Sequence, residues 1–190
     1  MSRAIYFHRR SFSWRGEVGC GILYDVKTTP DITVRNAAFK DAEAIFALIK
    51  TYPMELLPRS ISDIAENIDR SLVCERQGGI VGTVSWSILP EIGHVRHPAV
   101  EIKSLAVKKA VMHKGVGGKL IQAAIKRIRV LNPSQIIVLT FTPGFFARMG
   151  FKEVPKASLM HKLYMGCINC TKYDSPFTCP EVAMAMDVKN

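Results

Sequence analysis

The spacing of hydrophobic positions predicts an alternation of strands and helices from about residue 32 to the C-terminus. Apolar residues that alternate with polar ones predict strands, and apolar residues three or four positions apart predict helices. The predicted strands span residues 32–35, 72–76, 80–89, 99–107, 136–139, 151–154 and 182–188. The predicted helices begin at Asp41, after Ser60, near Val116 and at Pro143. This order predicts a single mixed α/β (α+β) domain with helices on both faces of its sheet.

Local signals mark where several of these elements begin and end. Ser60 followed by Asp63 fits a capping box at the start of the second helix. Residues 77–79, with the sequence Gln-Gly-Gly, predict a tight hairpin between two strands. Asn132 and Pro133 end the long third helix.

The strand at residues 99–107 is expected to present two different faces, because successive side chains of a strand point in opposite directions. Strict alternation puts on one face Glu101, Lys103, Leu105 and Val107. The other face takes Ile102, Ser104 and Ala106. Two charged and two apolar residues are therefore predicted to share one face.

Composition supports a globular chain of one domain. The chain has 190 residues, of which 48% are hydrophobic, and its mean hydropathy is +0.11. That length and apolar content suffice for a sizeable core. No apolar run reaches the roughly 18 residues that a membrane span needs, so no membrane association is predicted.

The net charge of +10 favours anionic partners, which include nucleic acids, phosphate-rich cofactors and small anionic substrates. The basic residues form no long block and only 8% of residues are aromatic, so we predict no nucleic-acid partner. Residues 1–30 are interpreted as a basic tail before a domain at 31–190. A transit peptide is the alternative interpretation of that tail.

The cysteines favour a reducing compartment, because their number is odd and two of the five lie far from the rest. A cytoplasmic location is therefore expected. The segment at 161–180 holds Cys167, Cys170 and Cys179, which form an incomplete metal-binding pattern with His161 as the nearest fourth ligand. We predict no metal there. A structural zinc, a redox pair and a lid over the substrate site remain alternatives.

A glycine-rich turn lies between the strand at 99–107 and the long helix. Glycines let backbone N–H groups approach phosphate oxygens, and a helix N-terminus adds unpaired donors with a positive dipole end. The turn lacks both the P-loop pattern and the dinucleotide fingerprint. It therefore predicts a pyrophosphate site, with positive charge or donors supplied by His113, Lys114 and Lys119.

These residues resemble the GNAT acetyltransferases, which carry (Q/R)xxGxG/A after a strand that often ends in LAV. This chain has LAV at 105–107 and MHKGVG at 112–117, with Met112 in place of the side-chain donor. A later segment reads GFFARMGF. The resemblance implies a GNAT fold with a mostly antiparallel sheet. It implies acetyl-CoA bound by Leu105, Ala106, Val107, His113, Lys114, Gly115, Val116, Gly117, Gly118, Lys119, Phe141 and Phe146.

Within that family the chain most resembles the short, single-domain bacterial N-acetylglutamate synthases. The shared stretches are LLPRS at 56–60, ENI at 66–68, EIKSLAV at 101–107 and HKLYMGCINC at 161–170. The resemblance implies acetyl transfer from acetyl-CoA to the amino group of L-glutamate, the first step of arginine biosynthesis. Other amines as acceptors, and a non-catalytic acyl-CoA sensor, remain alternatives, and a homodimer is left open.

Glu101 is the candidate general base, because the acceptor amine must lose a proton before it attacks. An ion pair between Glu101 and Lys103 is the alternative role. The tyrosine that many relatives use as general acid is replaced by Phe145 or Phe146. Either the thiolate leaves without an acid, or another group such as Tyr164 donates the proton. Backbone N–H groups at 105–107 are expected to polarise the thioester carbonyl.

Glutamate carries two carboxylates, so its recognition calls for fixed cations. Arg59 is the first candidate, because it belongs to the LLPRS stretch of the resemblance. Lys103 is the second, because it is expected on the face of Glu101. Arg35 is a third candidate, for which a surface charge is the favoured interpretation.

Overall fold

The computed structural model describes residues 32–89, 98–168, 170 and 172–188. The predicted basic tail at 1–30, and most of the polar loop that holds His94 and His97, lie outside these residues.

The described chain contains all the predicted strands and helices, with ends that differ by one or two residues. The strands are β1 (Thr33–Asn36), β2 (Ser71–Arg76), β3 (Gly79–Leu89), β4 (Ala99–Val107), β5 (Gln135–Thr140), β6 (Lys152–Glu153) and β7 (Val182–Asp187). The helices are α1 (Ala42–Lys50), α2 (Ile61–Glu66), α3 (Val116–Arg129) and α4 (Pro143–Arg148). A further helical turn, α5 (Met160–Lys162), continues as a π-helix over Leu163–Cys167. None of the described helices could cross a membrane.

The seven strands form one sheet in the order β1-β2-β3-β4-β5-β7-β6. All neighbours are antiparallel except β4 and β5, which are parallel. These two strands pair only at Val100 with Ile136 and at Glu101 with Ile137. Beyond that point they separate, and an opening forms in the middle of the sheet.

Helices cover both faces of the sheet, as the order of elements predicts. On one face α3 buries the predicted stripe of Leu120, Ile121, Ala124, Ile125 and Ile128 against the strands. On the other face α1 and α2 pack Ile45, Ile49 and Ile64 over Val73. Burial of each such large side chain contributes about 1.5–3 kcal/mol, so these two layers hold the sheet between them.

A β-bulge in β4 corrects the predicted assignment of its faces. The register between β3 and β4 shifts by one residue, and Ser104 has a left-handed backbone with φ of 53°. Strict alternation therefore stops at Ser104. Leu105 and Val107 pack with Ile102 in the core under α3, and only Glu101 and Lys103 remain on the opposite face.

Gly82 in β3 lets the first turn of α3 lie directly against the sheet. A Cβ atom at this position would come within 2.9 Å of side-chain carbons of both Val116 and Leu120. The glycine therefore sets the height of α3 above β3. As a result the N-terminus of α3 lies beside the end of β4, next to the opening in the sheet.

A charged cluster joins β1, β2 and the start of α1. The guanidinium of Arg35 donates to Asp41 at 2.6 Å and 2.9 Å and to Glu75 at 2.5 Å. Asp41 is buried, and its hydrogen bond to Arg35 lowers the pKa of its carboxyl group. Arg35 therefore serves the fold, and the structure gives it no place near the substrate site proposed from the sequence.

Replacement of Asp41 by Asn should destabilise the fold in a pH-dependent way. Loss of the charged hydrogen bonds to Arg35 should lower the free energy of unfolding at pH 7 by about 1.5–3 kcal/mol. Because the pKa of Asp41 is lower in the folded state, its stabilisation is present above about pH 4 and is lost as the pH falls through the folded-state pKa. Urea unfolding at several pH values measures both effects.

Asp69→Asn is the matched control, because Asp69 is exposed and forms only a surface ion pair with Arg70. Its effect should stay within about 0.5 kcal/mol. Equal losses in both variants, or a difference between wild type and Asp41→Asn that does not shrink as the pH is lowered from about 4, would contradict the role of Asp41.

Candidate active site

The opening between β4 and β5 widens into a cavity of about 1010 Å³. Its walls come from both parted strands, the turn before α3, the loop before α2 and the C-terminal segment from Gly166 to Glu181. Most of the residues selected from the sequence line it, namely Arg59, Glu101, Lys103, Leu105, Ala106, Val107, His113, Gly115, Val116, Gly117, Gly118, Phe141 and Phe146. Lys114 and Lys119 are exposed and are not among its lining residues.

The glycine turn forms one end of the cavity. A short 3-10 turn, Lys109–Val111, separates it from β4, so the strand does not pass directly into the helix. Gly115 has a left-handed backbone with φ of 81° and caps α3, which continues for 14 residues. The first backbone N–H groups of such a helix have no intrahelical partners. They lie at Gly117 and Gly118 in the cavity wall, where an anion would be stabilised.

Glu101 lies at the point where β4 and β5 part, and only 7% of its surface is exposed. Its carboxylate accepts from Lys162 Nζ at 2.8 Å and from Ser87 Oγ at 3.5 Å. The predicted ion-pair alternative for Glu101 named Lys103, and the structure corrects that partner to Lys162. A buried carboxylate that faces the cavity beside one ammonium can take up a proton from a bound group.

Lys103 and Arg59 face the same part of the cavity from different elements. Lys103 is half-buried, and burial together with the charge of Arg59 lowers the pKa of its ammonium. No acidic side chain in the described ranges forms an ion pair with Lys103. Arg59 makes one bond to Asp63 at 3.3 Å, so most of its donors stay available. Asp63 also donates its backbone N–H to Ser60 Oγ at 3.0 Å, which supports the predicted helix cap.

The C-terminal segment brings its thiols to the same cavity, which is lined by Cys167, Cys170 and Cys179. Burial raises the pKa of Cys167 and of Cys179, and Cys179 Sγ donates to Glu181 at 3.5 Å. Over the described residues, no group of three or more His, Cys, Asp or Glu is placed to hold a metal ion. Neutral thiols in this position act as small, weakly polar wall residues.

Several polar residues of the cavity were not predicted from the sequence, among them Tyr52, Lys162 and Glu181. The Tyr52 hydroxyl donates to the backbone carbonyl of Val107 at the end of β4. Tyr164, the predicted substitute acid, is 58% exposed and does not line the cavity. Tyr52 follows α1, and Lys162 and Glu181 lie far from β4 in sequence. No local pattern links any of them to the glycine turn.

Phe145 and Phe146 lie in α4, at the position where the family resemblance implies a tyrosine. Both line the cavity, and their rings meet edge to face at 5.0 Å between centroids. Phe146 packs in the same manner on Phe151 at 5.5 Å. This part of the wall therefore supplies apolar surface and no proton donor.

Comparison with known proteins assigns the chain to a family. A model of the acetyltransferase (GNAT) domain matches residues 67–153. An N-acetyltransferase of Chlorobaculum tepidum is 34% identical over 156 residues, which are 81% of this chain and 95% of that protein. The chain therefore belongs to the GNAT acetyltransferases and is an N-acetyltransferase, as the resemblance predicted.

The chain is also similar to an amino-acid acetyltransferase in sequence and to an N-acetylglutamate synthase in fold. The amino-acid acetyltransferase of Mycobacterium tuberculosis is 29% identical over 146 residues, with 74% of this chain and 79% of that protein covered. The crystal structure of N-acetylglutamate synthase from Neisseria gonorrhoeae, complexed with coenzyme A and N-acetyl-glutamate, superposes with a TM-score of 0.69 at 21% identity. That match covers 84% of this chain and 36% of the synthase, and it confirms the fold.

Substitutions at Ser104 should show that the bulge in β4 depends on a left-handed residue. Ser104→Val places a β-branched side chain at a φ of 53°, so it should lower the free energy of unfolding by about 1–2 kcal/mol. Ser104→Gly suits this conformation and should change the free energy by less than about 1 kcal/mol. Denaturant unfolding of both variants measures the difference. A valine variant as stable as the glycine variant would show that β4 passes this point without the bulge.

Proposed function

We propose that this N-acetyltransferase transfers the acetyl group of acetyl-CoA to the amino group of L-glutamate. The products are N-acetylglutamate and coenzyme A. The observation that carries this proposal is which of the cations in the cavity form hydrogen bonds or ion pairs with the protein and which do not. Of the half-buried cations that line it, Lys103 alone forms no side-chain hydrogen bond or ion pair in the described part of the chain, and it lies beside Arg59.

The donor end of the cavity suits a pyrophosphate followed by a thin chain. The N-terminus of α3 offers backbone donors at Gly117 and Gly118, and the opening between β4 and β5 leads from there to Glu101. Leu105, Ala106 and Val107 expose an unpaired strand edge along this path, as the LAV resemblance implies. Acetyl-CoA, a substrate with both features, would place its thioester near Glu101.

The acceptor end suits a small dicarboxylate. Lys103 and Arg59 converge on it from β4 and from the loop before α2, so one can hold each carboxylate. The relative from Mycobacterium tuberculosis is an amino-acid acetyltransferase, which agrees with an amino acid as acceptor. With one carboxylate on each cation, glutamate can direct its amino group toward Glu101. A polyamine or a lysine side chain has no carboxylate to pair with the two cations and would be repelled by them.

The transfer requires one proton to leave the acceptor before its nitrogen attacks. Glu101, directly or through one water, takes that proton, and the amine lone pair then forms the new C–N bond at the thioester carbon. The C–S bond breaks as the tetrahedral intermediate collapses, and the thiolate of coenzyme A leaves. The nitrogen gives up its second proton in this step, and the departing thiolate takes up that proton to give the free thiol of coenzyme A. That thiolate is stable enough to leave without a strong acid. Proximity of the two substrates supplies much of the remaining acceleration.

Variants at the two cations should separate glutamate from its neutral analogue glutamine. Lys103→Met and Arg59→Ala should each raise the KM for glutamate about 10–100-fold, because each removes a charged hydrogen bond. One of the two cations binds the side-chain carboxylate of glutamate. The variant at that residue should also lose the preference for glutamate over glutamine, measured as the ratio of the two kcat/KM values. Release of free thiol from acetyl-CoA measures all of these values.

Lys126→Met is the matched control, because Lys126 is exposed on α3 and outside the cavity. It should leave the KM for glutamate unchanged. Since the pKa of Lys103 is lowered, wild-type kcat/KM should fall toward alkaline pH as the ammonium loses its proton. Lys103→Arg should move that fall to higher pH. Unchanged preference for glutamate over glutamine in both cation variants would refute the assignment of the acceptor.

Glu101→Gln tests the base. It should lower kcat by about 10²–10⁴-fold and leave the KM for acetyl-CoA unchanged, because the amide keeps the shape of the side chain but cannot accept the proton. Lys162→Met removes the same ion pair yet keeps the carboxylate, so it should retain far more activity. Equal losses of activity in the two variants would mean that the ion pair matters and the base does not.

A cytoplasmic location and a homodimer stay predictions.

A further inference from the structure

A single ammonium group joins the C-terminal segment to the loop between α1 and α2. Lys172 Nζ donates to the backbone carbonyl oxygens of Pro53 at 2.8 Å, Met54 at 3.2 Å and Leu56 at 2.8 Å. An ammonium has three N–H donors, so all of them are used. Lys172 therefore has no donor left for a substrate, although its side chain lines the cavity.

The loop that Lys172 contacts is also held by the Tyr52 hydroxyl, which donates to the carbonyl of Val107, and by Leu56, which packs on the core cluster that contains Val73. Between the end of α1 and Ser60 it has turns and bends but no helix or strand, and Met54 is 75% exposed. Within it, Leu56 donates its N–H to the carbonyl of Tyr52 at 2.9 Å. Three carbonyls that point to one place would repel one another without a cation between them. Lys172 therefore holds this loop in its observed path.

Arg59 lies in the same loop, three residues after Leu56, and lines the cavity. Ser60 then caps α2, so the position of Arg59 is set by the cap on one side and by the loop on the other. Its one ion pair, to Asp63 in the first turn of α2, is long at 3.3 Å. That contact alone is too weak to fix an arginine of four rotatable bonds.

The C-terminal segment is itself anchored before it reaches the loop. Lys156 Nζ donates to the backbone carbonyls of Pro176, at 3.2 Å, and of Cys179. Lys172 thus extends from a segment that is fixed at its far end, and Tyr173 and Ser175 beside it line the cavity. The ammonium therefore connects two walls of the acceptor end rather than two mobile surface loops.

We propose that Lys172 is a positioning residue for the acceptor substrate, and that it acts by fixing the loop that places Arg59. This inference rests on the proposed function, because it takes Arg59 to hold a carboxylate of glutamate. Lys172 itself touches no substrate. Lys172 makes no bond that the structure describes to the glycine turn or to the parted strands, and Tyr52 of the same loop reaches β4 only through the carbonyl of Val107. The main effect of Lys172 is therefore expected at the acceptor end.

Replacement of Lys172 by Met tests the proposal, because Met keeps the length and apolar stem of the side chain without its donors. The KM for glutamate should rise about tenfold. Without the Lys172 ammonium the loop is less ordered, so Arg59 is in position to bind the carboxylate in a smaller fraction of the molecules. The KM for acetyl-CoA should stay unchanged and kcat should change by less than about threefold. Steady-state thiol release with each substrate varied in turn measures these constants.

A double-mutant cycle decides whether Lys172 acts through Arg59. In the combined Arg59→Ala, Lys172→Met variant, the KM for glutamate should equal that of Arg59→Ala alone, because the loop no longer carries a substrate ligand. A KM that equals the product of the two single effects would show independent action and would overturn the proposal.

Two variants separate positioning from general damage to the fold. Lys172→Arg should recover most of the affinity for glutamate, because a guanidinium can still donate to several carbonyls. Lys152→Met, an exposed residue of β6 outside the cavity, should behave as wild type. If Lys172→Met does not fold, Lys172→Gln, which keeps an amide donor pair, should show an intermediate rise in the KM for glutamate.

The outcomes also distinguish this inference from the proposed function. If Arg59→Ala raises the KM for glutamate but Lys172→Met does not, the positioning role is wrong and the proposed function stands. If Arg59→Ala has no effect on that KM, the carboxylate site of the proposed function is wrong, and the role of Lys172 falls with it. An equal rise in the KM for acetyl-CoA would assign Lys172 to the fold as a whole.

Discussion

The separation of β4 from β5 is the constraint on which the rest of the structure depends. Two parallel strands that would otherwise continue side by side are paired at only two positions. Backbone N–H and C=O groups beyond Glu101 then have a strand partner on the β3 side alone. Buried backbone groups need partners, and the Tyr52 hydroxyl satisfies only the carbonyl of Val107. The remaining edge is a ready site for a ligand with amide groups of its own.

The bulge at Ser104 and the close approach at Gly82 make this opening stable without a ligand. The bulge turns Leu105 and Val107 into the core under α3, so the strand keeps its apolar contacts after leaving β5. Gly82 lets α3 lie low enough to cover those residues. The hydrophobic layer therefore compensates for the pairing that β4 loses, and the helix N-terminus is placed at the end of the opening.

The elements of this fold could be predicted from the sequence because each has a clear local period or cap. The spacing of Leu120, Ile121 and Ile128 indicated a helix with one buried face, and the structure confirms it. The face assignment of Leu105 and Val107 failed for a definite reason. A bulge adds one residue and leaves no signature in hydrophobic alternation, yet it inverts every later side chain of the strand.

Some features of the candidate site could also be predicted from the local sequence, and others depend on the tertiary fold. Glycines at a strand-to-helix junction indicate an anion site through backbone geometry alone, so Met112 in place of a side-chain donor does little harm. The partner of Glu101 could not be inferred, because Lys162 is brought to it by the short turn α5 at the start of a π-helix, and no periodicity predicts this segment. Lys103 is predicted on the correct face, but only the three-dimensional structure shows that its ammonium forms no ion pair with the described residues.

This division explains why family membership defines the reaction more firmly than the acceptor. The matched GNAT region, residues 67–153, contains the parted strands, Glu101 and the glycine turn, which the proposed function assigns to the donor and to the chemistry. Arg59, Lys162 and Lys172 all lie outside it. Apart from Lys103 in β4, the proposed acceptor end is thus assembled from segments before and after the shared region, and side-chain ammonium and guanidinium groups hold these segments together. A fold built in this way can keep one reaction while its acceptor changes, because much of the acceptor end depends on parts of the chain outside the shared region.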